Sequence, residues 1–201
     1  MTVRIHGNRP IKTLTGSLTR PTSAKVREAV FNIWQGRVAG CSWLDLCAGS
    51  GAMGAEALCR GAYKVVGIEK VAKACSVIQD NWKQIATPSQ SIRLIRGDVV
   101  QKLTALAGEA FDCIYFDPPY ESHLYKPVLE AVLFNGLLTE HGEIAVEHDR
   151  QLPLPDNIPI DPLQDTNPHR DTLHPIDRQL ACCRRKQYGR TSLTFYRYRS
   201  D

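Results

Sequence analysis

From residue 43 onward, short apolar runs alternate with stretches whose apolar positions recur at helical spacing. The apolar runs predict five strands, at Trp43–Cys47, Lys64–Ile68, Ile92–Ile95, Phe111–Phe116 and Glu143–Glu147. The helical spacing predicts three helices, at Ala55–Arg60, Val71–Ala86 and Pro127–Leu138. Because strands and helices alternate, the pattern predicts an α/β fold in which helices cover both faces of a mostly parallel sheet.

The first forty residues have a different pattern. Residues 1–21 are polar and basic, and glycines and prolines break any helix there. A helix is predicted next, because one apolar stripe recurs at helical spacing over Val26, Ala29, Val30 and Ile33. Thr22 is its predicted N-cap, and Lys25, Arg27 and Asn32 lie largely off the stripe, which predicts a basic outer face. We therefore predict a basic extension, residues 1–40, packed on a domain of residues 41–201.

The C-terminal part is interrupted by residues 151–180, which hold six prolines and show no periodicity. Such a stretch is either a functional loop or a mobile insertion, and we favour the mobile insertion. Beyond it, Arg184–Tyr188 and Ser192–Tyr198 predict two strands joined at Gly189 as a terminal hairpin.

Charge is unevenly distributed along the chain. Residues 1–40 carry a net +6, residues 41–180 a net −7 and residues 181–201 a net +5, for a total of +4. Two basic ends around an acidic middle predict a polyanionic partner, although basic ends that only favour solubility would give the same pattern.

Composition excludes several classes of protein. No stretch is long enough to span a membrane and no apolar signal core is present, so a cytoplasmic address is expected. Seven cysteines without a CxxC pair predict reduced thiols and no metal site. No strong apolar surface stripe is visible, so we expect a monomer.

The first chemical motif is a glycine-rich turn directly after the first strand of the domain. Gly49, Gly51 and Gly54 follow Asp45 in GxGxxG spacing, and Glu69 ends the next strand twenty residues after Gly49. Glycines there allow a tight turn and the close approach of a ligand. Taken alone, this motif does not distinguish a nicotinamide cofactor from S-adenosylmethionine.

Three carboxylates at successive strand ends favour a cationic, amine-bearing ligand. Asp45 lies just before the turn, where it would not benefit a diphosphate, and Glu69 and Asp98 end the next two strands. Each of them taken singly is equally compatible with a helix N-cap or a solvated turn.

The second motif, Asp117-Pro118-Pro119-Tyr120, follows the fourth strand of the domain. A carboxylate and a backbone carbonyl, here those of Asp117 and Pro118, can hold the two N–H bonds of an exocyclic base amine. Proline stiffens the segment, and Tyr120 offers a face on which an extruded base can stack. In a doubly wound sheet the ligand crevice opens between the first and fourth strands, so both motifs are predicted to meet there.

Together these residues resemble the class I methyltransferase fold. More narrowly, the segments Thr19–Asn32, Leu44–Gly51 and Phe116–Tyr120 resemble the RsmD family of bacterial small-subunit ribosomal RNA guanine-N2 methyltransferases. The resemblance covers roughly residues 4–150 and 184–198. It implies a seven-stranded sheet with an antiparallel last strand.

The resemblance also implies how the cofactor is held. Asp45, Gly49 and Gly51 would meet the methionine part of S-adenosylmethionine, Glu69 the ribose, and Asp98 would lie near adenine. We expect neighbouring residues to complete this cofactor site: Ala48, Ser50, Lys70 and Val99.

For the substrate, the resemblance matches Asp117, Pro118 and Tyr120 to the clamp for the target base. The basic segment before the domain would face RNA through four residues: Arg20, Thr22, Lys25 and Arg27. The expected reaction is direct methyl transfer to the N2 amine of a guanine in small-subunit ribosomal RNA, either naked or within a partly assembled particle. Three alternatives remain: a DNA adenine-N6 methyltransferase, a nicotinamide-dependent oxidoreductase and a non-catalytic RNA-binding assembly protein.

Overall fold

A computed structural model describes residues 2–14, 23–120, 122–159 and 179–199. The strands are β1 Thr2–Ile5, β2 Arg9–Lys12, β3 Ser42–Leu46, β4 Lys64–Glu69, β5 Ser91–Arg96, β6 Phe111–Phe116, β7 Leu138–Asp149, β8 Asn157–Ile158, β9 Leu180–Tyr188 and β10 Thr191–Tyr198. The helices are α1 Ala24–Ile33, α2 Ala52–Cys59, α3 Ala72–Ile85, α4 Val99–Leu103 and α5 Tyr125–Phe134, with short 3-10 turns at His6–Asn8 and Thr104–Leu106.

Eight strands form one sheet in the order β5-β4-β3-β6-β7-β10-β9-β8. Strands β5, β4, β3, β6 and β7 are parallel to one another, and β10 runs antiparallel to both of its neighbours, β7 and β9. The predicted α/β fold with an antiparallel last strand is therefore confirmed, and β8 adds a two-residue strand at the edge.

Helices cover both faces of this sheet. On one face, α1, α2 and α3 enclose an aromatic cluster in which Phe31 stacks on Trp43 at 5.2 Å and Trp34 meets the ring of Phe195 edge-on at 5.6 Å. On the other face, α4 and α5 pack against the apolar residues of β3, β4, β6 and β7. Strands β7 and β10 are buried on both faces, and their successive side chains alternate between these two layers.

Several predicted boundaries differ from the observed ones. Helix α5 ends at Phe134 and β7 begins at Leu138, because Gly136, with a φ of +61°, lets the Leu137 amide bond back to the Val132 carbonyl at 3.0 Å. The helical prediction through Leu138 was therefore too long. Helix α4 was not predicted, since its five residues are too few to show a period.

The N-terminal region also differs from its prediction. The N-cap of α1 is Ser23, whose hydroxyl accepts from the Val26 amide at 3.2 Å, so the prediction of Thr22 was wrong. Strands β1 and β2 form an unpredicted hairpin, and Ile5 and Ile11 bury their side chains in the same cluster as α1. The hairpin is thus anchored by two apolar residues in an otherwise polar segment.

The start of the proline-rich stretch is packed. Leu154 and Ile158 are buried in the apolar cluster on the α4 and α5 side of the sheet, and the Tyr196 hydroxyl donates to the Pro155 carbonyl at 2.7 Å. Residues 160–178 lie outside the described residues, so the mobility predicted for the stretch stays a prediction there. Among the described helices, none is both long and apolar enough to cross a membrane.

Candidate active site

The carboxyl ends of β3, β4, β5 and β6 meet at one edge of the sheet, where both sequence motifs lie. The turn after β3 is unusually curled: Cys47, Gly49 and Gly51 have φ angles of +60°, +58° and +72°. The Ala48 amide donates to the Ile68 carbonyl at 3.1 Å, which ties the turn to β4. Glycine adopts such angles at low cost, whereas Cys47 adopts them under strain.

The three motif glycines serve two different purposes. A Cβ atom at Gly54 would lie 2.4 Å from Trp82 Cζ2, and one at Gly51 would lie 2.8 Å from Trp82 Nε1. Trp82, which is almost fully buried, donates from Nε1 to the Gly51 carbonyl at 2.8 Å. At Gly49 the nearest described atom to such a Cβ would be the Cys47 carbonyl oxygen, 3.9 Å away. Gly51 and Gly54 therefore make room for Trp82, and Gly49 leaves its side open to a ligand.

Four carboxylates converge on this turn. Besides burial, the negative charges of Glu69, Asp117, Asp45 and Asp98 raise the pKa of the Cys47 thiol, which lies among them. These acids come from four different strand ends, as the sequence predicted. A thiol held protonated in this way is a poor nucleophile.

Asp45 is the most deeply buried of the four acids. Burial raises the pKa of its carboxyl to about 8, with a smaller increase from Glu69, and the Gly54 amide, which donates to it at 3.0 Å, lowers the pKa in part. Burial therefore disfavours the ionised form of Asp45, and a nearby cation would stabilise that form.

Glu69 and Asp98 combine structural contacts with free acceptor capacity. The Glu69 carboxylate accepts from the amides of Gly49 and Val71, both at 2.8 Å, so it fastens the glycine turn to the start of α3. Asp98 is the N-cap of α4, accepting at Oδ1 from Val100, and the Lys70 ammonium lies 3.7 Å from its other oxygen. Each carboxylate oxygen has two lone pairs, so both acids can still accept from a ligand hydroxyl or amine.

The remaining predicted cofactor residues surround these acids. Ser50 is buried within the turn, and its carbonyl accepts from the Asn81 amide nitrogen at 3.0 Å. Val99 is buried as the first residue of α4, directly after Asp98. Ala48 is partly exposed beside Gly49, and the Lys70 side chain is largely exposed.

The second motif leaves β6 beside the glycine turn. The Asp117 amide donates to the Leu46 carbonyl at 3.4 Å, and Asp117 and Tyr120 are partly exposed, whereas Pro118 is buried. The Tyr120 hydroxyl donates to Glu147 at 3.1 Å and lies 2.9 Å from the Thr191 hydroxyl. Burial, above all, raises the pKa of Tyr120 to about 12, so the phenol stays protonated and its ring is held against the sheet.

Sequence reasoning missed the residues that hold Tyr120. Glu147 is buried at the end of β7, where it accepts from the hydroxyls of both Tyr115 and Tyr120. Its signal was a carboxylate inside the apolar run Ile144–Glu147, at the same sheet edge as Asp117. Thr191 carries no local signal, because it reaches the site from a strand seventy-one residues further along the chain.

Asn81 links the N-terminal hairpin to the glycine turn and was also missed. Its side chain is buried, pairs with both the amide and the carbonyl of Lys12 at 2.9 Å, and also donates to the Ser50 carbonyl. In the middle of an amphipathic helix an asparagine gives little warning of such a role.

The four predicted RNA-facing residues separate into three groups. Arg20 and Thr22 lie outside the described residues, and Lys25 is exposed on α1. Arg27 is buried, with Nε 2.6 Å from Glu56 and Nη2 donating to the Arg4 carbonyl at 2.7 Å, so its prediction on a basic outer face was wrong. The buried Glu56 carboxylate of α2 binds this guanidinium, so α1 turns the Arg27 side of the helix towards α2 and not towards solvent.

Comparison with known proteins gives concordant matches. The family described as conserved hypothetical protein 95 matches residues 3–161. The Bacillus subtilis protein named "Putative rRNA methyltransferase YlbH" is 31% identical over 193 residues, 95% of this chain and 94% of that protein. "Ribosomal RNA small subunit methyltransferase D" of Escherichia coli K12 is 31% identical over 137 residues, 68% of this chain and 67% of that protein. The solved structure "Putative methyltransferase yhhF from Escherichia coli" covers 100% of both chains with a TM-score of 0.76 at 24% identity, a likeness of fold.

Proposed function

Because the chain belongs to the conserved hypothetical protein 95 family, as its motif resemblance to the RsmD proteins predicted, we propose that it is a ribosomal RNA methyltransferase. In the finer proposal, it transfers the methyl group of S-adenosylmethionine to the N2 amine of a guanine in small-subunit ribosomal RNA. One observation carries the proposal: the open Gly49 turn, three acids and the Asp117–Tyr120 segment share one sheet edge.

The residues at this edge fit S-adenosylmethionine. Asp45 is buried with a raised pKa, so a ligand ammonium would stabilise its ionised carboxylate, whereas the negative charge of a diphosphate would repel it. Glu69 would accept from ribose hydroxyls, and Asp98 with Val99 would border the adenine. When bound, the cofactor supplies a methyl group on a positively charged sulfur, which is a good leaving group.

The chain's own contribution is to position the amine. The Asp117 carboxylate and the Pro118 carbonyl would accept the two N–H bonds of the guanine amine, which leaves the nitrogen lone pair directed at the methyl group. Asp117 would also accept the proton that the nitrogen loses after transfer. Tyr120, held by Glu147 and Thr191, would stack on the extruded base. Positioning of this kind supplies most of the rate enhancement.

Two observations support RNA as the substrate. Both relatives described above are named as ribosomal RNA methyltransferases, and the match covers two thirds or more of the length of each. Lys25 is exposed beside the segment that holds Arg20 and Thr22, and the last twenty-one residues carry a net +5. These basic positions would contact RNA phosphates.

The test is methyl transfer from labelled S-adenosylmethionine to three acceptors: undermethylated small ribosomal subunits, the same RNA stripped of protein, and duplex DNA. Each product is digested to nucleosides. We expect label in N2-methylguanosine, and we expect an Asp117→Asn variant to bind the cofactor normally but to transfer far more slowly. Label only in N6-methyladenine from DNA would refute the ribosomal assignment. Cofactor binding without transfer to any acceptor would favour a non-catalytic RNA-binding protein.

A further inference from the structure

A groove of about 400 Å³ runs along α1 on the side that faces β9. It is lined by Lys25, Glu28, Ala29, Asn32, Ile33 and Tyr188. Ala29 and Ile33 belong to the apolar stripe predicted for α1, yet they are only partly buried, because the burial of Arg27 and Phe31 rotates the helix. The groove therefore has an apolar floor that the fold itself does not cover in the described residues.

Tyr188 of strand β9 lines the groove opposite α1, and two basic residues precede it on the same face of the strand. Tyr188, Lys186 and Arg184 pair directly with Thr191, Leu193 and Phe195 of β10. Directly paired residues point to the same face of a sheet, and Leu193 and Phe195 point to the α1 face. The Arg184 guanidinium lies 5.7 Å from the centre of the Phe195 ring, which agrees with this orientation.

Positive charge lies beside the groove. The lining itself holds one cation, Lys25, and one acid, Glu28, and the exposed Arg184 and Lys186 on the same face of β9 add two cations next to it. Arg185 points to the other face, where it pairs with Asp156 at 2.7 Å and does not contribute. A partly exposed tyrosine beside exposed cations is a combination that binds single-stranded nucleic acid, with bases stacked on the ring and phosphates near the cations.

Tyr188 connects the groove to the proposed base clamp through one intervening residue. Tyr188 is the cross-strand partner of Thr191, and the Thr191 hydroxyl lies 2.9 Å from that of Tyr120. Directly opposed side chains in a sheet have Cβ atoms roughly 5 Å apart. A strand of RNA whose target base stacks on Tyr120 would therefore place a neighbouring nucleotide at Tyr188.

We propose that this groove binds the single-stranded RNA that flanks the target nucleotide, with one base stacked on Tyr188 and phosphates held by Lys25, Arg184 and Lys186. The inference rests on the proposed function for the identity of the RNA, but the binding itself can be measured without catalysis. Glu28 would keep the backbone on the cationic side of the groove by repelling phosphate.

The test measures binding of a labelled, mixed-sequence, single-stranded RNA by fluorescence anisotropy at several salt concentrations. Tyr188→Leu removes the stacking ring while keeping an apolar side chain against the core, and Lys186→Glu reverses one charge. The matched controls are Tyr63→Leu, at a tyrosine that is 52% exposed near the amino ends of the strands, and Lys126→Glu on α5. Thermal unfolding confirms that each variant is folded.

We expect Tyr188→Leu to weaken binding about tenfold with an unchanged salt dependence. Lys186→Glu should weaken binding and reduce the slope of log K against log salt by about one. Both controls should bind as the wild type does, and cofactor affinity should not change in any variant. Wild-type affinity in a folded Tyr188→Leu variant would overturn the inference, as would polyglutamate of equal charge competing as well as RNA.

Methyl transfer separates this inference from the proposed function. If the wild type methylates ribosomal RNA and Tyr188→Leu raises neither the KM for RNA nor the dissociation constant, the groove assignment fails and the enzyme assignment stands. If no acceptor is methylated but the binding pattern appears, the groove assignment stands alone.

Discussion

Cofactor affinity should depend on pH through one buried carboxyl group. Asp45 has a pKa of about 8 in the free protein, chiefly because it is buried. If the ligand ammonium binds the ionised form, affinity follows the ionised fraction, which is roughly one hundredth at pH 6, one tenth at pH 7 and one half at pH 8. The affinity should therefore rise almost tenfold between pH 6 and pH 7 and more gradually above pH 7.

Isothermal titration with S-adenosylmethionine, in two buffers of different ionisation enthalpy, measures both the affinity and the protons released. About 0.9 proton should be released per molecule bound near pH 7. The series stops near pH 8, since an α-amino group begins to lose its own proton at about that pH. Asp45→Asn, which still offers an oxygen to the Gly54 amide, should bind weakly with a flat pH profile.

The same pKa makes a prediction about stability. The folded protein binds the Asp45 proton more tightly than the unfolded chain between about pH 4 and pH 8, so stability falls as pH rises through that window. Asp45→Asn should therefore raise the unfolding temperature of the cofactor-free protein at pH 8, with a smaller gain near pH 5. A pH-independent wild-type affinity, or a variant that unfolds at a lower temperature at pH 8, would refute the reasoning.

Three substitutions test other parts of the structure. Arg27→Ala leaves the buried Glu56 carboxylate without one of its cations, so the unfolding free energy measured in urea should fall by about 3–5 kcal/mol. The RNA affinity of the folded variant should be unchanged. A variant of normal stability that binds RNA weakly would contradict the structural role of Arg27. Gly54→Ala forces a methyl group against Trp82, and this overpacking should lower the unfolding free energy by about 1–3 kcal/mol. Because alanine has the higher helix propensity, part of that cost is offset, and we expect the unfolding temperature to fall by a few degrees. The double variant with Trp82→Phe should lose less than the sum of the single losses, and strict additivity would count against the contact. Tyr120→Phe removes the hydroxyl that holds the ring, so we expect normal cofactor affinity, a lower kcat and an unfolding free energy that is lower by about 1–3 kcal/mol. An unchanged kcat would show that this anchoring is irrelevant to transfer.

Local patterns were sufficient to predict the central strands in their order and both motifs. The apolar runs from Trp43 to Glu147 correspond to strands β3 to β7, because period and turn chemistry act over a few residues. The carboxyl ends of parallel strands share one edge, so the convergence of Asp45, Glu69, Asp98 and Asp117 also followed from the sequence. Their contacts with a ligand stay a proposal.

Only the tertiary structure decided how the side chains around that edge are held. Trp82 packs on Gly51 from 31 residues away, and Thr191 reaches Tyr120 across 71 residues. Helical spacing predicted that Arg27 is exposed, yet Glu56 on a neighbouring helix buries it. These contacts depend on which elements become neighbours in space, and the period of a single helix or strand contains no information about its neighbours.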